Sequence, residues 1–256
     1  MSRLSDLFNM KEKDVLNVYC TAGYPRLDST IEVMEALQEH GADIIELGMP
    51  YSDPLADGPV IQHSSAVALD NGMTISLLFQ QLKELRPGIR VPVILMGYMN
   101  PVLQYGFEKF CMDAAACGID GLILPDLPIH EFEQTYQGIL QKNGLDFIFL
   151  VTPETPVERV RKLDSLSSGF LYAVSSSSTT GQDTVRESPE QYLQKLSEMG
   201  LKNPVLVGFG IRDKAGFQAA CRHTAGAIIG SAYIKVLENS VNVNATTNSF
   251  LSSVLG

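Results

Sequence analysis

The sequence predicts a (β/α)8 TIM barrel, one domain over residues 1–256, with an additional helix ahead of the first strand. Three observations carry this. Eight short, β-branched apolar runs bounded by Gly or Pro recur along the 256 residues, as expected of strands buried on both faces. Each run is followed by an amphipathic stretch, and eight such units in about this length make a barrel. The first run leads into Thr21-Ala22-Gly23-Tyr24-Pro25, which is not the glycine-rich phosphate turn of a doubly wound sheet, the main structural alternative. No linker, low-complexity tract or shift in composition divides the chain, and the four serines Ser175–Ser178 read as a loop at a strand end.

In chain order, the additional helix is expected over Ser5–Lys13. The strands are expected at Leu16–Thr21, Asp43–Gly48, Val91–Gly97, Gly121–Pro125, Phe147–Val151, Phe170–Ser175, Val205–Gly210 and Ala227–Ser231. Asp28-Ser29-Thr30 ahead of Ile31, Met34 and Leu37 reads as a helix start. Phe107, Phe110, Cys111 and Ala114 repeat at helical spacing, as do Phe132, Tyr136 and Ile139-Leu140. Ser188-Pro189-Glu190 places proline in a first turn, where it is tolerated. Gly41, Gly118, Gly144 and Gly200 stand where a left-handed C-cap ends a helix.

Composition bounds the function. Apolar residues at 45% and charged residues at 19% describe a packed globule. With 19 Lys and Arg against 29 Asp and Glu the net charge is −10, which argues against nucleic-acid and anionic-lipid partners. No apolar run approaches the roughly 18 residues of a membrane span. Met1–Asp14 carries six charges and no signal-peptide apolar core, so a soluble, cytoplasmic protein is expected. Cys20, Cys111, Cys117 and Cys221 form no C-x-x-C pair, and the four histidines form no H-E-x-x-H or H-x-H pattern, so no metal site is expected.

In a barrel the chemistry gathers at the carboxyl ends of the strands. In Asp43–Gly48 the side chains alternate, so Ile44, Glu46 and Gly48 face inward while Ile45 and Leu47 face the helices. A carboxylate inside a barrel is costly without a partner or a purpose. Glu46 is therefore either a paired structural carboxylate or a general acid/base raised by burial, and its position favours the second. The following loop, Pro50 to Pro59, holds three prolines in ten residues, stiff enough to place a side chain accurately. Asp53 reads as turn chemistry; Asp57 stays open between turn and site. The last three strand ends are rich in small residues: Ser175–Gly181, Gly208-Phe209-Gly210-Ile211 and Gly230-Ser231. Exposed backbone N–H groups there suit an anion, most simply a phosphoester. Tyr172, inward in its strand, is either packing or a group that orients Glu46 or a ligand.

The run Glu46-Leu47-Gly48-Met49-Pro50-Tyr51-Ser52-Asp53-Pro54-Leu55-Ala56-Asp57-Gly58-Pro59 closely resembles the signature of the tryptophan synthase alpha subunit family. Thr21–Pro25, Met96–Pro101, Pro125–Pro128, Gly208–Ile211 and Gly230–Ala232 also match similar segments, so the resemblance covers essentially the whole chain. It implies retro-aldol cleavage of indole-3-glycerol phosphate to indole and glyceraldehyde 3-phosphate, a step of L-tryptophan biosynthesis. It further implies that Glu46 is the general acid/base and that Asp57 accepts the indole N–H. Tyr19 would pack on the indole, Tyr172 would lie near the glycerol chain, and Leu95, Met96 and Ile148 would form apolar walls. Thr180, Gly181, Gly210, Gly230 and Ser231 match the phosphate-binding positions. The family needs no cofactor in this chain. Its partner is a pyridoxal-phosphate beta subunit in an alpha-beta heterotetramer, touched by segments matching Pro50–Pro59 and Asn100–Gln104.

One loop departs from the family pattern. Where members carry S-R-x-G-V-T-G, this chain has Ser175-Ser176-Ser177-Ser178-Thr179-Thr180-Gly181, with Ser176 for the Arg and Ser178 for the first Gly. The departure bears on closure over the substrate. Two other readings compete. Another phosphate-binding barrel, such as a sugar-phosphate epimerase or an indole-glycerol-phosphate-forming enzyme, would use a metal site or an inward lysine, and no strand candidate holds a lysine. A regulatory subunit that keeps the pocket but turns over little is opposed by the presence of both Glu46 and Asp57.

Overall fold

The structure is a computed structural model that describes residues 2–85, 88–174, 188–208 and 210–256. Strands lie at β1 Val15–Thr21, β2 Ile44–Gly48, β3 Val93–Met96, β4 Gly121–Ile123, β6 Leu171–Val174, β7 Val205–Gly208 and β8 Gly226–Ile229. The fifth, β5, comes in two pieces, Asp146–Phe147 and Leu150–Val151. Every neighbouring pair is parallel. The ladder runs from the first piece of β5 through β4, β3, β2, β1, β8, β7 and β6 to the second piece. The chain between the two pieces joins these ends. Ile148 N–H donates to Leu122 O on one side, and Phe149 O accepts from Tyr172 N–H on the other, each at 3.0 Å. The predicted strand Phe147–Val151 is thus one barrel strand that hands its pairing from β4 to β6 midway.

Alternation sorts the core into two clusters. Outward residues such as Val18, Ile45, Leu47 and Leu95 pack beneath the helices. Inward residues, among them Val15, Ile44, Ile94, Ile123, Ile148 and Phe170, fill the amino-terminal half of the barrel and give the site an apolar floor. Below that floor lies α1, Arg3–Met10, whose Leu4 is fully buried in the inner cluster. The additional helix is therefore present but begins and ends earlier than the expected Ser5–Lys13. Ser2 Oγ caps it by accepting from Ser5 N–H, and Lys11 is its C-cap. Asp14, at φ 58°, then turns the chain into β1. The Arg3 guanidinium fixes the helix to Asp120, N···O 2.7 Å.

The helices after the strands include α2 Ser29–Glu39, α3 Pro59–Asp70, α4 Ile75–Leu85, α5 Met99–Tyr105 and α6 Phe107–Ala116. Gly41, Gly118, Gly144 and Gly200 all take positive φ, as their C-cap positions require. Ser188 forms a full capping box with Gln191 ahead of the helix Pro189–Glu198. The expected strands Val205–Gly210 and Ala227–Ser231 stop at Gly208 and Ile229; Gly230 is already the N-cap of the helix Ser231–Leu237. One glycine is required by the closeness of two strands: a Cβ at Gly226 would lie 2.0 Å from Val15 O. Gly226→Ala must push β8 off β1. We expect a loss of about 3 kcal/mol or more, a fall of roughly 10 °C in Tm by thermal denaturation.

Candidate active site

At the carboxyl ends of the strands lies a cavity of about 550 Å³, lined by Tyr19, Glu46, Asp57, Met96, Tyr172, Gly210, Gly230 and Ser231 among others. These are most of the residues singled out from the sequence. Thr180 and Gly181, with the rest of the loop Ser175–Gly181, lie outside the described residues. Leu95 faces outward into the helix-side core, paired in register with Leu47, and Ile148 sits in the inner apolar cluster beneath the cavity. Of the three expected apolar walls, Met96 alone lines this space. Asp53 is exposed and does not line it; its carbonyl accepts from Leu55 N–H at 2.9 Å within the turn.

Glu46 is 1% exposed. Its Oε2 accepts a hydrogen bond from Asn17 Nδ2 at 2.8 Å. Burial pushes its carboxyl from 4.5 up to about 8, opposed by the Asn17 bond and reinforced by the nearby charge of Asp57. At neutral pH Glu46 is thus mostly a proton-bearing acid, within reach of ionisation. Asp57 is also raised, chiefly by burial, and is held back by the O–H of Tyr98. Tyr98 Oη donates to Asp57 Oδ2 at 2.9 Å and accepts from Ala56 N–H at 3.0 Å, so one phenol fixes both the carboxylate and the backbone next to it.

The two inward tyrosines occupy room left by glycines on neighbouring strands. A Cβ at Gly48 would lie 2.0 Å from Tyr19 Oη, and one at Gly208 would lie 2.7 Å from Tyr172 Oη. Burial raises both phenols well above their ordinary value, so they remain neutral aromatic walls with a hydroxyl each. Gly210 takes φ 59°, a conformation glycine adopts without strain. Two cations that the sequence reading passed over, Arg212 and Lys235, also line the cavity. Lys235 stands one helical turn after Ser231, a spacing that brings it to the same end. Tyr98 and Asn17 were missed as well. Asn17 was hidden as a polar residue inside an apolar run. Among the described residues, no group of three or more His, Cys, Asp or Glu is placed to hold a metal ion.

A parallel barrel whose cavity brings the buried Glu46 and the half-buried Asp57 together with glycines that follow β7 and β8 defines a (β/α)8-barrel enzyme. The family model described as tryptophan synthase alpha chain matches residues 6–253. The tryptophan synthase alpha chain of Bacteroides thetaiotaomicron is 48% identical over 239 residues, 93% of each chain. That of Flavobacterium psychrophilum is 50% identical over 234 residues, 91% of this chain and 92% of its own. Among solved structures, the alpha chain from Legionella pneumophila superposes with TM-score 0.87 at 32% identity, covering 99% of this chain and 96% of that one. The A-subunit from Pyrococcus furiosus gives TM-score 0.83 at 33% identity, covering 95% and 98%. The chain belongs to the tryptophan synthase alpha chain family.

Proposed function

We propose that this cavity cleaves indole-3-glycerol phosphate to indole and glyceraldehyde 3-phosphate, the alpha reaction of L-tryptophan biosynthesis, with Glu46 moving the protons and Asp57 holding the indole nitrogen. The observation that carries the reading is Glu46, buried in the same cavity as Asp57 and raised to about 8. Protonated Glu46 delivers its proton to the ring carbon that bears the glycerol chain. Positive charge then spreads to the ring N–H, where the Asp57 carboxylate stabilises it. Glu46, now ionised, takes the proton of the hydroxyl on the adjacent chain carbon. The O–H electrons become the carbonyl of the aldehyde, the carbon–carbon bond breaks, and its electrons restore the aromatic ring. Glu46 ends as it began, protonated, so the protons and electrons balance within the substrate and one side chain.

In this reading Tyr19 packs on the indole and Tyr172 lies along the glycerol chain. The backbone and hydroxyl groups at Gly210, Gly230 and Ser231, together with Thr180 and Gly181, take the phosphate, and Arg212 and Lys235 add positive charge at that end. The chemistry assigned to this chain needs no cofactor; pyridoxal phosphate belongs to the partner beta subunit. We place that partner, in an alpha-beta heterotetramer, against the rim formed by Pro50–Pro59 and Asn100–Gln104. Asn100 Nδ2 donates to Tyr51 Oη at 3.0 Å, tying the two segments together, while Leu55 and Leu103 stand 92% and 49% exposed. Among the described residues, no helix is long and apolar enough to cross a membrane, and we assign the enzyme to the cytoplasm.

The test is product formation. The chain supplied with indole-3-glycerol phosphate should release indole and glyceraldehyde 3-phosphate in equal amounts, faster when a beta subunit is added. Silence with and without the partner, with phosphate-ligand binding intact, would make the chain a regulatory subunit. A further expectation concerns Tyr98→Phe, which removes the O–H that fixes Asp57. Turnover should fall about tenfold, as for loss of one hydrogen bond to a charged group, with Tm little changed by thermal denaturation.

A further inference from the structure

We propose that Asn17 is a positioning residue whose side-chain amide turns over with each change in the protonation of Glu46, donating to the carboxylate and accepting from the acid. The inference rests on the acid/base reading of Glu46 and deepens it. Asn17 is fully buried on β1, below the cavity, and its Nδ2 reaches Glu46 Oε2 at 2.8 Å. Its other pole has no counterpart: Asn17 Oδ1 is buried and has no hydrogen-bond partner among the described residues.

A buried amide oxygen without a partner is uncommon and costly. Here it has a mechanical consequence. Among the described residues the bond to Glu46 is the one hydrogen bond of this side chain, and no second bond there anchors the amide against a half-turn about its terminal torsion. In the orientation seen, N–H faces Glu46, which suits the carboxylate. After a half-turn, C=O faces Glu46 and accepts from the protonated acid. The direction of the amide is then set by Glu46 alone. An apolar residue would serve neither state, and a fixed donor would meet the acid only at its carbonyl oxygen, leaving the acid O–H without an acceptor. Glu46 must pass through both in each turnover, and the amide gives it a partner in each while keeping the carboxyl in one place.

The groups facing Glu46 leave the amide this role. Asp57, from the loop after β2, adds negative charge. Tyr19 on β1 and Tyr172 on β6 share its cavity, are raised by burial and stay neutral, as does Cys20, which points from β1 into the helix-side core. From β3 the register partner of Glu46 is Ile94, which does not titrate.

Two readouts test the proposal. In the unmodified chain, with 15N-labelled asparagine and carboxyl-13C-labelled glutamate, the Asn17 amide signals should move with pH at the same midpoint as the Glu46 carboxyl, the latter assigned by its loss in Glu46→Gln. Asn17→Leu, of similar size but unable to hydrogen-bond, should raise the Glu46 midpoint by about one unit and lower kcat about tenfold, with KM within about twofold. Asn17→Ser, whose hydroxyl can donate or accept, should fall between the two and serves if the leucine variant does not fold. Asn17 signals that ignore the Glu46 titration, or a midpoint and kcat unchanged in the variants, would overturn the proposal. Indole release that survived Glu46→Gln would instead remove the acid/base reading, and the NMR titration would still decide the coupling by itself.

Discussion

Glu46→Gln is expected to abolish indole release, a fall of roughly 10³-fold or more, the upper part of what positioned acid/base groups contribute. Glutamine keeps the size of the side chain, and its carbonyl can still accept from Asn17, so fold and ligand binding should persist. What it lacks is a proton to give to the ring carbon and a lone pair basic enough to take one back. The same substitution should stabilise the chain at alkaline pH. In the folded protein Glu46 is raised from 4.5 to about 8, so between those values the folded chain holds a proton that the unfolded chain has released. Folding stability therefore declines as pH rises through that window. Glutamine does not titrate and escapes the decline. Denaturant unfolding should find wild type and variant alike near pH 5 and the variant ahead by a few kcal/mol near pH 9. Equal pH dependence in the two would mean that Glu46 is not raised.

The second large effect belongs to Asp57. Asp57→Asn should cut kcat by about 10²-fold or more, since a neutral amide can still accept the indole N–H but cannot offset the positive charge that develops on it. Tyr98 keeps a partner in the amide oxygen, so the loop should hold its place and KM should change little. Because Asp57 raises the Glu46 carboxyl, removing its charge should also shift the Glu46 midpoint downward. A rise in KM with kcat unchanged, read by steady-state kinetics, would make Asp57 a binding residue and not an electrostatic one.

The barrel was legible because its signals are local. Strand length, glycine punctuation and the alternation around Glu46 fix which side chains face inward, and the four C-cap glycines mark helix ends without any tertiary information. Parity alone would also have corrected one expectation: Ile94 and Met96 point inward, so Leu95 between them faces the helices. Depth was not legible in the same way. Ile148 has the right parity but sits below the cavity, and its level follows from the stagger of parallel strands. The same stagger hid Asn17, which pairs in register with Ile44 and not with Glu46, and meets the carboxylate only because both side chains enter the barrel at neighbouring levels. Tyr98 was hidden by reach, for its hydroxyl crosses from the end of β3 to a loop 41 residues earlier in the chain. The cations Arg212 and Lys235 sit on an exposed rim where composition gives no warning of a shared cavity. The early start of α1 turned on one hydroxyl, Ser2, whose capping role outweighs the charge pattern that follows it.

The central claim is that one buried carboxyl carries both proton transfers. It is tested most directly by following indole release from indole-3-glycerol phosphate by the wild type and by Glu46→Gln under single-turnover conditions with a beta subunit present, alongside a direct measurement of substrate binding to each. The account predicts substrate bound by both and indole released by the wild type alone. Indole released by the glutamine variant at a rate within tenfold of wild type would contradict it.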